Sequence, residues 1–243
     1  MSTIPLLSIR SSKTELFEQF ARIGKALSSG VRIEVLDLLA QSERSVESLA
    51  EMLGQSTQNI SQHLQLLRQT KLITSRREGN FVFYRLADMD VSRLVGMLQG
   101  VAHRHLSEVD EIIDRFKSHA AEFELVGGPE LLRRVESGEV VVLDVRPRIE
   151  FDAGHLPGAV NVPLPELERR LAELPKDQEV VAYCRGRYCL LAYAAVDYLR
   201  DHHVRALRMD GGMSEWRLER LPITLEPSNS AERGRRMPAA NEG

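Results

Sequence analysis

The chain has 243 residues, 43% of them hydrophobic, with 32 basic side chains against 35 acidic ones. That length exceeds the roughly 100–150 residues of one ordinary domain, and the near-balanced charge excludes a surface that binds polyanions everywhere, so any nucleic-acid face must be local. No stretch approaches the roughly 20 continuous apolar residues of a membrane span, and the first residues lack the apolar core of a secretory leader, so a cytoplasmic protein with no membrane partner is expected. Cys184 and Cys189 are the only cysteines. They are too few and too close for a disulfide framework, and such a pair in a reducing compartment points to reactivity.

From residue 14 to about 115 apolar residues recur every three or four positions, which predicts packed amphipathic helices. Residues 71–86 interrupt them. Their alternation on either side of Glu78-Gly79-Asn80 predicts a β-hairpin, followed by one long helix after Asp88. Before the hairpin, SVESLAEMLGQSTQNISQHLQLLRQ (45–69) reads as two short helices joined by a turn at Leu53-Gly54-Gln55, with Ser45 and Ser56 as N-caps.

In the second of these helices Ile60, Leu64 and Leu67 share one stripe, and Gln58, Ser61, Gln62 and Gln65 project from the other side. Polar but uncharged, that outer face suits a DNA major groove, where amides and hydroxyls both donate to and accept from base edges. Positive charge sits beside it, in Arg68, Lys71, Arg76, Arg77 and Arg85, placed to hold flanking phosphates. The competing reading is an ordinary solvated helix and hairpin.

Residues 26–88 resemble the ArsR family of winged-helix repressors in order, spacing and character. The resemblance implies a mainly-α winged helix-turn-helix domain that forms a homodimer through the helix at 14–27 and the helix after Asp88, and binds a palindromic double-stranded operator. The recognition helix would begin near Ser56, with Ser56, Thr57, Gln58, Ser61, Gln62, Gln65 and Arg68 toward DNA. Arg76, Arg77, Gly79 and Asn80 would lie in the wing. Metal-sensing members carry cysteines in this domain, and here the first 183 residues have none. Asp90, His103, His105 and Asp110 are zinc-ligand types, but His103 and His105 are two apart and point to opposite sides of a helix. No metal and no cofactor are expected.

Periodicity is lost around residues 117–129, which end in Gly127-Gly128-Pro129. The expected organisation is a DNA-binding and dimerisation domain at 1–118, a linker at 119–127, a second domain at 128–226 and a disordered tail at 227–243. In the second domain the apolar runs 140–144, 179–184 and 204–209 alternate with helical stretches, so an α/β domain with a mostly parallel sheet is expected.

The run from Cys184 through Arg185, Gly186, Arg187 and Tyr188 to Cys189 lies between one of these strands and an apolar-periodic helix. A cysteine at a strand end, followed by a short loop and a helix N-terminus, favours the nucleophilic thiolate, because loop amides and the helix dipole point at the sulfur. Arg185 and Arg187 would add positive charge. A cysteine phosphatase or arsenate-reducing enzyme would need an arginine after five intervening residues, where Leu190 stands. The six-residue loop instead resembles the rhodanese family, as do VVVLDVRPRIEFDAGHLPGAVNVP (140–163) and MDGGMSEWRLERLPI (209–223).

That resemblance implies a sulfurtransferase-type site. Cys184 would accept sulfane sulfur as a persulfide, backbone amides of Arg185 to Cys189 would stabilise it, and Asp144, Arg146 and Glu150 would brace the loop. Rhodanese loops commonly carry a small hydroxyl residue where Cys189 stands. Cys189 is either a resolving thiol that turns the site into a latch or a small residue at a helix start. The expected function is a transcriptional repressor sensing a small sulfur donor such as thiosulfate, polysulfide or persulfide. The alternative is a sulfurtransferase whose DNA-binding domain mainly regulates its own gene.

Overall fold

Residues 6–116, 125–175 and 177–225 are described by a computed structural model, in which the chain separates into two units after Arg115. The first contains α1 (Leu6–Leu27), α2 (Gly30–Gln41), β1 (Arg44–Ser45), α3 (Val46–Leu53), α4 (Thr57–Gln69), β2 (Ile73–Glu78), β3 (Phe81–Leu86), α5 (Met89–His105) and α6 (Ser107–Asp114). Local chemistry sets the junctions. Ser45 Oγ accepts the Ser48 N–H at 3.3 Å and Ser56 Oγ accepts that of Asn59 at 3.2 Å, each satisfying a helix-start amide that would otherwise lack a partner.

Between these caps α3 stops on Gly54, whose φ of 60° is the left-handed conformation that closes helices. In the hairpin, the pairing of Glu78 with Phe81 leaves Gly79-Asn80 as the whole turn, and Gly79 supplies the positive φ its first position needs. β1 pairs with the other side of β3, making a three-stranded antiparallel sheet that hydrophobic patterning does not announce. The core joins Val35, Leu36 and Leu39 of α2 to Leu49 of α3 and to Ile60, Leu64 and Leu67 of α4. Burying each such side chain contributes about 1.5–3 kcal/mol. The result is a winged helix-turn-helix.

The single long helix expected after Asp88 is two helices, broken at Leu106, which is extended at φ −119° and ψ 104°. Charge explains the place of the break. The last turn of α5 is basic (His103, Arg104, His105), the first turn of α6 is acidic (Glu108, Asp110), and each complements the dipole end it occupies. His103 Nε2 lies 2.8 Å from Asp110 Oδ1 across the break.

The second unit contains β4 (Leu125–Val126), α7 (Gly128–Glu136), β5 (Val140–Asp144), α8 (Arg148–Asp152), β6 (Val160–Asn161), α9 (Leu167–Arg170), β7 (Glu179–Tyr183), α10 (Leu190–Asp201), β8 (Ala206–Met209) and α11 (Met213–Leu218). Its five strands run in the order β4-β8-β7-β5-β6 and every pairing is parallel. Both faces of central β7 are covered. Val180 and Ala182 pack with α10, while Val181 and Tyr183 pack with Leu131, Leu207, Met209 and Trp216. Burial on both faces is why this strand reads as a continuous apolar run.

Of the stretch expected as linker, residues 119–124 lie outside the described residues, but 125–126 form edge strand β4, with Val126 buried against the sheet. A two-residue strand is too short for its period to register. Gly127 and Pro129, read as a stop, also start α7, with the proline in its first turn. The tail expected at 227–243 lies outside the described residues. Among the described residues no helix is long and apolar enough to cross a membrane.

Candidate functional site

On α4 the two faces separate cleanly. Ile60, Leu64 and Leu67 are buried, whereas Ser56, Thr57, Gln58, Ser61, Gln62, Gln65 and Arg68 are exposed. Ser61 Oγ donates to Thr57 O at 2.7 Å, so this hydroxyl is partly occupied by its own helix. In the hairpin, Arg76 is engaged by two carboxylates, with Nε 2.7 Å from Glu43 Oε2 and Nη1 2.5 Å from Glu78 Oε2. Those hydrogen bonds, that to Glu78 foremost, raise its pKa. Arg77 donates from Nε to Gly79 O at 3.1 Å and has no such carboxylate clamp among the described residues.

Cys184 follows the last residue of β7, at the carboxyl edge of the sheet where open α/β sheets hold their ligands. It is fully buried, its sulfur is bonded to that of Cys189, and the two Cα atoms are 6.2 Å apart. The first turn of α11 clamps this loop. Met213 N–H donates to Cys184 O at 2.9 Å and Ser214 N–H to Arg185 O at 2.8 Å. Gly212 passes so close that a Cβ there would lie 2.5 Å from both Cys184 O and Gly186 N. Only glycine fits. At the far end Cys189 N–H donates to Gly186 O at 3.1 Å, and Cys189 becomes the N-cap of α10. Gly186 and Tyr188 between them are half-buried.

Two loop amides expected to cradle sulfur are committed elsewhere. Besides that of Cys189, the Arg187 N–H donates to Glu215 Oε1 at 3.3 Å. The expected positive charge is also engaged. Arg185 Nη2 lies 2.9 Å from Glu150 Oε1, and exposed Arg187 lies 3.2 Å from Asp210. A buried cation nearer the loop's underside is Arg208 of β8, which donates from Nη1 to Arg187 O at 3.3 Å and stacks its guanidinium 4.3 Å from the Tyr193 ring centre. Burial lowers its pKa, and its Nε has no partner among the described residues.

Asp144 and Arg146 form a fully buried pair, 2.6 Å apart. Arg146 also donates to Gly154 O at 2.9 Å, and the Tyr183 hydroxyl donates to Asp144 Oδ2. Burial, reinforced by the Asp144 charge, pushes the Tyr183 phenol well up, so it remains a donor. Asn161 Nδ2 closes the network on the carbonyls of Asp144 and Arg146 at 3.1 and 2.9 Å. This network joins β5 to Tyr183, the last residue of β7, and Glu150 separately accepts from Arg185.

Gly212, Glu215 and Arg208 went unnoticed in the sequence. For Arg208 a signal existed, since a charged residue inside an apolar parallel strand demands a reason. Glu215 carries a buried Oε2 with no partner among the described residues, and burial raises its pKa. Only the third dimension places it under the loop. Among the described residues of the single chain, no group of three or more His, Cys, Asp or Glu is arranged to hold an ion.

Residues 29–75 match the family model described as bacterial regulatory protein, arsR family, and residues 129–219 match that of the rhodanese-like domain. The HTH-type transcriptional regulator Rv0324 of Mycobacterium tuberculosis is 46% identical over 218 residues, which cover 87% of this chain and 92% of that one. A protein of Allochromatium vinosum named sulfurtransferase is 34% identical over 92 residues, covering 37% of this chain and 84% of its own. Among solved structures, the homodimeric winged helix-turn-helix DNA-binding domain of Mb0332 from Mycobacterium bovis is 42% identical, with a TM-score of 0.39 over 44% of this chain and 94% of that one. The chain therefore belongs to the ArsR family of bacterial transcriptional regulators, with a rhodanese-like domain following its winged helix-turn-helix.

Proposed function

We propose that this regulator is a repressor whose rhodanese-like domain senses reactive sulfur through Cys184. The cysteine takes a sulfane sulfur from a persulfide, polysulfide or thiosulfate, and its sulfur state alters the affinity of a homodimer for a palindromic operator. The observation that carries this reading is the Cys184 loop. Cys184 is buried at the carboxyl edge of a parallel sheet, two α11 amides hold the carbonyls of Cys184 and Arg185, Gly212 lies against the loop backbone, and Leu190 stands where an oxyanion-clamping arginine would be. Reading of DNA would fall to the exposed, uncharged face of α4, with Arg68 and Arg77 on phosphates. Dimerisation is supported by apolar side chains open to solvent on α1 (Leu16, Phe17, Phe20) and α5 (Met97, Leu98, Val101), of which Met97 is 70% exposed.

A second reading, a sulfurtransferase that mainly regulates its own gene, is favoured by the similarity of the second domain to a protein named sulfurtransferase. Operator gel shifts with and without an alkyl persulfide, on wild type and Cys184→Ser, separate the two. Sensing requires the donor to weaken wild-type binding by about 5- to 150-fold, a coupling of about 1–3 kcal/mol, and to leave Cys184→Ser unchanged. Brisk thiosulfate:cyanide turnover with no donor effect on binding would favour the transferase and end the sensor reading.

A further inference from the structure

The Cys184 loop holds two sulfurs, and besides the bond between them the backbone of each is held by hydrogen bonds of its own. Cys184 is fixed by Met213 N–H on its carbonyl, its neighbour Arg185 by Ser214 N–H and by Glu150, and Gly212 leaves the backbone no room to retreat. Cys189 is fixed from the other side, as N-cap of α10 and by its own N–H on Gly186 O. With the bond formed the Cα separation is 6.2 Å, inside the about 4.4–6.8 Å that a disulfide spans. A group held this close competes with a diffusing acceptor at a very high effective concentration. Access sharpens the contrast, because Cys184 is fully buried while Cys189 is half-buried and adjacent to it.

We propose, resting on the sulfur-sensing reading above, that Cys189 is a second catalytic residue, a resolving nucleophile that converts a Cys184 persulfide into the Cys184–Cys189 disulfide with release of hydrosulfide. In the first step the Cys184 thiolate attacks the outer sulfur of a low-molecular-weight persulfide. The donor's sulfur–sulfur bond breaks and the donor leaves as a thiol. In the second step Cys189, its proton passing to solvent, attacks Cys184 Sγ. The bond from Sγ to the sulfane sulfur breaks, and that sulfur departs with the electron pair as hydrosulfide. The two thiols are oxidised to one disulfide and the sulfane sulfur is reduced to sulfide, so electrons balance with no other oxidant.

The site thereby records sulfane sulfur stoichiometrically. It resets only when a cellular thiol reduces the bridge. Cyanide finds nothing to accept once resolution has occurred.

The test uses the full chain, reduced and desalted without oxygen, mixed with one equivalent of an alkyl persulfide. Attack on the donor's inner sulfur would also release sulfide but would leave the alkyl group on the protein, so intact mass tells that route from resolution. Intact mass and released sulfide are read on wild type, Cys189→Ser and Cys189→Ala. Wild type should lose two hydrogens and release one sulfide per chain, whereas both variants should retain one added sulfur on Cys184 and release none. If wild type also keeps the added sulfur and releases no sulfide, the resolving role is overturned while sulfur loading at Cys184 stands. If none of the three proteins takes up sulfur or loses its thiols, the sensing reading falls together with it.

Discussion

Glu150 Oε1 accepts from Arg185 Nη2 at 2.9 Å, and the carboxylate is fully buried while the guanidinium keeps only an edge in solvent. The arginine beside Cys184 is therefore a tether of the loop to α8 before it is a source of charge for the sulfur. Removing Glu150 takes from the partly buried Arg185 the carboxylate that both its Nε and Nη2 reach. Glu150→Ala should lower the unfolding free energy of the second unit by roughly 3 kcal/mol, the lower end for a broken buried pair. Denaturant unfolding monitored at Trp216 checks this, and a loss below about 1 kcal/mol would mean the pair is not holding the loop.

Gly212→Ala places a methyl group 2.5 Å from Cys184 O and Gly186 N, both backbone atoms that cannot swing aside. The loop must move off α11, breaking the hydrogen bonds from Met213 and Ser214. Overpacking of this kind costs about 1–3 kcal/mol, so the domain should still fold. Sulfur uptake at Cys184, followed by mass, should nonetheless fall by at least tenfold. Uptake at the wild-type rate in a folded Gly212→Ala protein would show that the clamp is dispensable.

The Glu215 carboxyl has its pKa raised from 4.5, chiefly by burial. A carboxyl that binds its proton more tightly folded than unfolded stabilises the fold below its unfolded pKa and loses that contribution as pH rises through the folded value. Glu215→Gln keeps an acceptor for the Arg187 N–H and removes the charge. Its melting temperature should match wild type near pH 4 and exceed it at pH 7. A variant less stable than wild type at pH 7 would show that the charged form is favoured under the loop.

On DNA the arginines of the hairpin should not be equivalent. Arg77→Ala should lower operator affinity at every sequence and reduce the slope of log affinity against log salt by about 1, because a phosphate contact releases a counterion. Arg76 is already neutralised by Glu43 and Glu78. Arg76→Ala should change the slope less, and Glu78→Ala should strengthen binding by removing one of the two carboxylates that hold Arg76. Fluorescence anisotropy across a salt series measures all three, and a larger slope change for Arg76 than for Arg77 would reverse the assignment.

What the sequence announced and what it hid divide along distance in the chain. The caps at Ser45 and Ser56, the turn at Gly79-Asn80 and strand β7 are written in residues a few positions apart, so propensity and period suffice. β1 and β4 have two residues each and exist only because β3 and β8 offer them an edge. The loop shows the same division. Its cysteines stand out at once, but Arg185 finds its partner 35 residues upstream and Arg187 its acceptor 28 residues downstream, separations that no local pattern encodes. Arg208 was visible as a charge in an apolar strand, and its stacking on Tyr193 supplies the reason.

The hydrogen bond from Met213 N–H to Cys184 O ties Cys184 to the first amide of α11, and three residues further along that helix stands Trp216, the only tryptophan of the chain. Its ring is buried and its indole N–H donates to Pro222 O at 2.7 Å. A rotation of the Cys184 peptide on changing its sulfur bonds would be delivered to a single chromophore through one short helix. Ultraviolet emission of Trp216 is therefore expected to differ between the bridged and the reduced loop, with no label needed.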